Sequence, residues 1–114
     1  MKRIKFYVCP NCNNITTCTG QAEISCCGRK LKPEIHKLVD DNHKITVEEI
    51  ENDYYVTIDH EMTKEHYISF VAYVTYDRVL IVKLYPEQNP SVRFPKISKD
   101  KLYIFCNQNG LLMK

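Results

Sequence analysis

Apolar and polar residues alternate with a period of two along most of this chain, the spacing of strands that bury one face. Ile4, Phe6 and Val8 predict a short strand running into Cys9, and Ala22-Glu23-Ile24-Ser25 predicts another ahead of Cys26. From His43 onward the alternation is sustained. Ile45 and Val47 share a side, then Tyr54, Val56 and Ile58, with His60 continuing that face. His66, Ile68, Phe70, Ala72 and Val74 are expected on one face, followed by Leu80, Val82 and Leu84, and last by Leu102, Ile104 and Cys106. Asn52-Asp53 reads as a hairpin turn and Asp77-Arg78 as a weaker one. Arg93-Phe94-Pro95 reads as an edge piece, because proline gives no hydrogen to a ladder. Thr46-x-x-Glu49 has the form of a helix capping box. The run is short and β-branched, so a strand is the better reading. Short alternating strands punctuated about every 8–12 residues predict an all-β sandwich.

At 114 residues the chain is expected to be one domain, or one domain with a very small appendage. The expected division is residues 1–36 and 37–114. Residues 29–42, charged and containing Pro33, read as the linker into the main body. Sixteen Lys and Arg against fourteen Asp and Glu leave a net charge of +2 with no basic stripe. That balance argues against nucleic acid or an acidic membrane surface as a partner. No apolar run reaches the roughly 18 residues of a membrane span. Met1-Lys2-Arg3-Ile4-Lys5 opens no signal-like apolar stretch. A soluble, cytoplasmic protein is expected. In that reducing compartment six cysteines read as metal ligands rather than disulfides.

Four of the six form two clusters, Cys9-Pro10-Asn11-Cys12 and Cys26-Cys27-Gly28. A C-x-x-C turn aims two sulfurs at one point, and Asn13 tolerates the positive φ that such turns ask for. Four thiols make a closed tetrahedral site for zinc or iron. The adjacent pair is unusual for a zinc ribbon and must splay its sulfurs. Cys18 is not needed for this set. A second constellation lies in the body. His60 and His66 stand six positions apart before an apolar run, and Cys106 ends another. Imidazole with thiolate suits zinc, copper or iron. His36 reads as a solvated linker residue.

With both clusters in view, the chain resembles the desulfoferrodoxin family, the two-iron form of superoxide reductase, over nearly its whole length. Phe6-Tyr7-x-Cys9-x-x-Cys12 with Cys26-Cys27-Gly28 is similar to the desulforedoxin module. The resemblance implies an FeS4 centre there, held by Cys9, Cys12, Cys26 and Cys27, ahead of an immunoglobulin-like sandwich. The family's Glu-Lys-His, His-Pro-Met-x-x-x-His and Cys-Asn-x-His-Gly segments read here Asp41-Asn42-His43, His60-Glu61-Met62-Thr63-Lys64-Glu65-His66 and Cys106-Asn107-Gln108-Asn109-Gly110. Carried over, His43, His60, His66 and Cys106 are implied ligands of a mononuclear ferrous ion that reduces superoxide to hydrogen peroxide. Asp41 stands at the position of a glutamate that can reach the open coordination place. Zinc is the alternative metal. A rubredoxin-like or other electron donor and a homodimer are implied with it.

The chain departs from that pattern in four places. Asn109 replaces the fourth histidine, Asn42 the lysine that draws in the anion, Asp41 the glutamate, and Glu61 the proline. Lys64 is a candidate for the missing positive charge. Two functional classes follow: a superoxide reductase, or a non-catalytic metal-binding or electron-transfer protein on the same scaffold. Asn109 is the feature that separates them.

Overall fold

The computed structural model describes residues 4–39, 43–75, 78–96 and 101–114. Its contacts divide the chain into two compact units, Met1–Ile35 and His36–Lys114. Among the described residues the regular elements are twelve strands, so the fold class is all-β, as the alternation predicts.

The first unit holds two hairpins. β1 (Lys5–Val8) pairs with β2 (Ile15–Cys18), and β3 (Ile24–Cys26) with β4 (Arg29–Leu31). Among the described residues one apolar cluster of this unit is Tyr7, Cys9 and Leu31, with Cys18, Ile24 and Cys26 packed against it, and Phe6 is buried as well. Burying such side chains yields about 2 kcal/mol each. Ordering backbone costs about 1–2 kcal/mol per residue, so this cluster is far too small to hold the unit by itself.

The second unit is a sandwich. One sheet has the order β10-β7-β6, from β6 (Lys44–Ile50), β7 (Asp53–Asp59) and β10 (Ser91–Pro95). The other has the order β5-β12-β11-β8-β9, from β5 (Lys37–Leu38), β8 (Ile68–Val74), β9 (Val79–Lys83), β11 (Lys101–Cys106) and β12 (Gly110–Met113). The shared core joins Ile45, Val56, Ile58 and Phe94 of the first sheet to Val71, Tyr73, Ile104 and Leu112 of the second. The Tyr73 ring stacks on Phe94 at 5.3 Å between centroids. The chain crosses between sheets after β7, and that crossing carries both His60 and His66.

Three expectations from the alternation need correction. Residues 29–42 are not simply a linker: Arg29–Leu31 is the last strand of the first unit, and Lys37–Leu38 pairs in parallel with β12. The first hairpin of the sandwich turns at Glu51-Asn52, since Ile50 pairs with Asp53, and Glu51 takes φ 54°. One residue earlier than expected, the turn still uses the left-handed conformation that matches strand twist.

The third correction concerns β8. Ile104 pairs with Val71 and Phe105 with Phe70, but Cys106 pairs with Ile68, leaving Ser69 as the extra residue of a β-bulge. A bulge inverts the facing of everything beyond it. Ile68 therefore joins Val71 and Tyr73 in the core instead of sharing a face with Phe70, Ala72 and Val74. The outer set is buried too, Phe70 stacking on Phe105 at 5.5 Å.

Candidate metal centres

The first centre is built by turns. Asn13, at φ 61°, closes the turn after Cys12, its N–H donating to the Cys9 carbonyl at 2.9 Å. The Cys9 N–H donates to the Asn14 carbonyl at 3.0 Å. In the second hairpin Cys26 pairs with Arg29, so Cys27 and Gly28 are the two turn residues, at φ 54° and 72°. Two left-handed residues in succession make a type I′ turn. A side chain in that conformation costs roughly 1–2 kcal/mol, and here it splays Cys27 away from Cys26. The sulfurs of Cys12 and Cys26 are 3.5 Å apart, and those of Cys26 and Cys27 3.9 Å. All four sulfurs lie within 4.8 Å of one another. The Cys12 backbone N–H draws the Cys9 thiol down to about 6 against the opposing effect of burial. The Asn14 amide pulls on Cys12 in the same sense, but its neighbours Cys26 and Cys9 leave that thiol raised. Cys18 stands outside the set, its thiol donating to the Gly20 carbonyl at 3.3 Å.

The second centre lies at one rim of the sandwich. Lys44 pairs with Asp59 at the end of β6 and β7, so His43 and His60 emerge side by side, ring centroids 4.8 Å apart. His66 enters β8 and Cys106 ends β11, two strands that pair at Ile68 and Cys106. Each sheet thus contributes two ligands. The His60 and His66 rings are 4.4 Å apart, and those of His43 and His66 6.5 Å. Nε2 of His60 lies 3.5 Å from the Cys106 sulfur. The ligand atoms of His43, His60, His66 and Cys106 all fall within 4.8 Å of one another. His43 and Cys106 are buried, while His60 and His66 are half-buried, so the rim opens to solvent on their side.

Local hydrogen bonds hold this geometry. Thr63 and His66 close a turn, the Thr63 N–H donating to the His66 carbonyl at 3.0 Å. The His66 N–H donates to Thr63 Oγ1 at 3.1 Å. Asn107 straps the two loops together: its Oδ1 accepts from the Tyr67 N–H at 2.9 Å and its Nδ2 donates to the Glu65 carbonyl at 3.0 Å. Nε2 of His66 is buried with no hydrogen-bond partner. A buried nitrogen in that state beside a thiol suits a metal ligand. Burial, above all, pushes the His60 ring below the ordinary imidazole value, with His66 and His43 adding to it against the Glu61 carbonyl.

All eight cysteine and histidine positions expected at the two centres therefore come together as two groups of four. Asp41 and Asn42 lie outside the described residues. Asn109, exposed in the turn after β11, accepts the Cys106 thiol hydrogen at 3.3 Å through Oδ1. His36 is exposed and sits edge-on to Tyr103. The alternation gave no sign of the parts played by Glu61 and Asn107, because neither contact follows from a period of two.

No family model matches the chain. It is 28% identical over 118 residues to a desulfoferrodoxin of Desulfarculus baarsii, covering 96% of this chain and 94% of that protein. A desulfoferrodoxin of Clostridium acetobutylicum is 33% identical over 55 residues, 48% of this chain. That match spans less than half of the relative's own length, 44%. Similarity to desulfoferrodoxins thus extends over nearly the whole chain, which supports the desulfoferrodoxin and superoxide reductase family. The fold agrees: the crystal structure of the superoxide reductase from Treponema pallidum superposes with a TM-score of 0.85 at 22% identity, covering 100% of this chain and 99% of that one. The four-thiol group and the group of three imidazoles and one thiol both fit an iron-binding protein of this family. Among the described residues no helix is long and apolar enough to cross a membrane.

Proposed function

We propose that this chain is a superoxide reductase-like, non-haem iron protein that converts superoxide to hydrogen peroxide with an electron from an external donor. The observation that carries the reading is the convergence of His43, His60, His66 and Cys106 on one point at an open rim. Iron held there would supply one electron to each superoxide, and two protons complete the peroxide. His60 and His66 would hold the iron through Nε2, the nitrogen that each turns toward the Cys106 sulfur side of the site. Cys106, buried at the end of β11, would hold the iron through a sulfur shielded from water. Protons arrive from solvent on the half-exposed side of His60 and His66. In this reading residues 1–36 form a desulforedoxin-like module, in which Cys9, Cys12, Cys26 and Cys27 hold a structural FeS4 centre, and residues 37–114 carry the reaction. The donor is a rubredoxin-like or other electron carrier in the cytoplasm. The protein assembles as a homodimer, for which the edge strand β10 offers unpaired backbone groups.

The second reading, a metal-binding or electron-transfer protein without catalysis, draws on Asn109. Its amide contacts the Cys106 sulfur where a fourth imidazole would complete the set. One experiment separates the two. Chain purified without oxygen and carrying iron at both centres is mixed with superoxide and a reducing donor. One peroxide per superoxide, with no dioxygen released, is the reductase result. Fully loaded chain that consumes no superoxide overturns that reading in favour of the second.

A further inference from the structure

Glu61 touches two of the candidate ligands at once. Its backbone carbonyl accepts the Nδ1–H of His60 at 2.6 Å, and its carboxylate Oε1 accepts the Nδ1–H of His66. In an imidazole, a hydrogen on Nδ1 leaves the lone pair on Nε2. Those Nε2 atoms are the ones that face the centre: that of His60 lies 3.5 Å from the Cys106 sulfur, and that of His66 is buried without a hydrogen-bond partner. The backbone around Glu61 is itself held. The Met62 carbonyl accepts the Glu87 N–H at 2.6 Å, and the Met62 sulfur accepts the Ile68 N–H at 3.4 Å. The carboxylate therefore approaches His66 from a fixed point rather than from a loose loop.

We infer that Glu61 is a positioning residue that sets the tautomer and aim of both His60 and His66 and, through its carboxylate, strengthens His66 as a metal donor. A carboxylate behind a ligating imidazole makes the ring more basic and fixes its plane, and removing such a partner typically costs 10–100-fold in metal affinity. The two contacts divide the work. The carbonyl acts on His60 whatever the side chain at position 61, whereas the carboxylate acts on His66 alone. The inference rests on the metal-centre reading above but not on superoxide as substrate.

The test uses the full, reduced, metal-free chain. Long-range proton–nitrogen NMR reads which ring nitrogen of each histidine carries hydrogen. Titration with Co2+ reads the affinity of the two centres, and the four-cysteine step serves as the internal control. Wild type is expected to show Nδ1–H on His60 and His66. Glu61→Ala should leave His60 in that form, release His66 to a mixture, and weaken the second Co2+ step by about 10–100-fold with the first unchanged. Glu61→Gln keeps an acceptor but loses the charge, and should fall between the two. A merely structural role for position 61 predicts equal affinity for Glu61→Gln and wild type. That equality, or Nε2–H on His66 in wild type, or Glu61→Ala within twofold of wild type, overturns the inference. A chain inactive toward superoxide whose Co2+ affinity still follows this order supports it, and removes only the proposed substrate.

Discussion

The sulfur of Cys106 lies 3.5 Å from Nε2 of His60, although 46 positions separate them in the chain. They come from different sheets, so the contact measures how closely the two sheets register at this rim. Cys106→Ser should abolish metal binding at the second centre while the first keeps its full equivalent, as metal analysis per chain will show. Asn109→His tests the same point by gain. An amide oxygen is a harder and weaker donor to ferrous iron than imidazole, so the variant should raise occupancy of the second centre, by about tenfold or more in affinity. Its superoxide-reducing rate should rise with occupancy.

Ser69 places Ile68 opposite Cys106 and turns it into the core. Ile68 is fully buried, so Ile68→Ala should cost about 2–5 kcal/mol in urea unfolding. Deleting Ser69 should do something different. Without the extra residue Ile68 still pairs with Cys106 and still faces the core, so the second centre should keep its metal, as metal analysis per chain will show.

The four-cysteine unit has too small an apolar cluster to order itself. Metal binding on the order of 10 kcal/mol would supply what is missing. Cys27→Ser should remove one equivalent of metal and, with it, hydrogen-exchange protection across β1 to β4. The second centre should keep its metal in the same sample.

Burial holds the His60 ring below its ordinary value. The folded metal-free chain thus binds fewer protons there than the unfolded chain, and its stability rises with pH in that range. The contribution is full above the ordinary histidine value, near 6.5, and is lost as pH falls through the depressed one. Denaturation midpoints measured between about pH 7 and 5 should fall on acidification, and His60→Gln should flatten the slope.

The candidate ligands of both centres were legible in the sequence because ligand types are local. Cys9, Cys12, Cys26 and Cys27 announce four thiols by spacing alone, and period-two alternation announces strands that end at His60 and Cys106. Asn13 could be assigned its positive φ because so few residues accept it. Tertiary structure alone decided how these parts are aimed. A single extra residue at Ser69 leaves the alternation of β8 looking regular, yet exchanges its buried faces. Cys27 splays from Cys26 because pairing of β3 with β4 puts it in a left-handed turn, a matter of register between strands. Glu61 finds His66 because the loop after β7 folds back on itself between Met62 and Ile68. Such contacts depend on where two segments meet in space, and one-dimensional periodicity carries no information about that meeting.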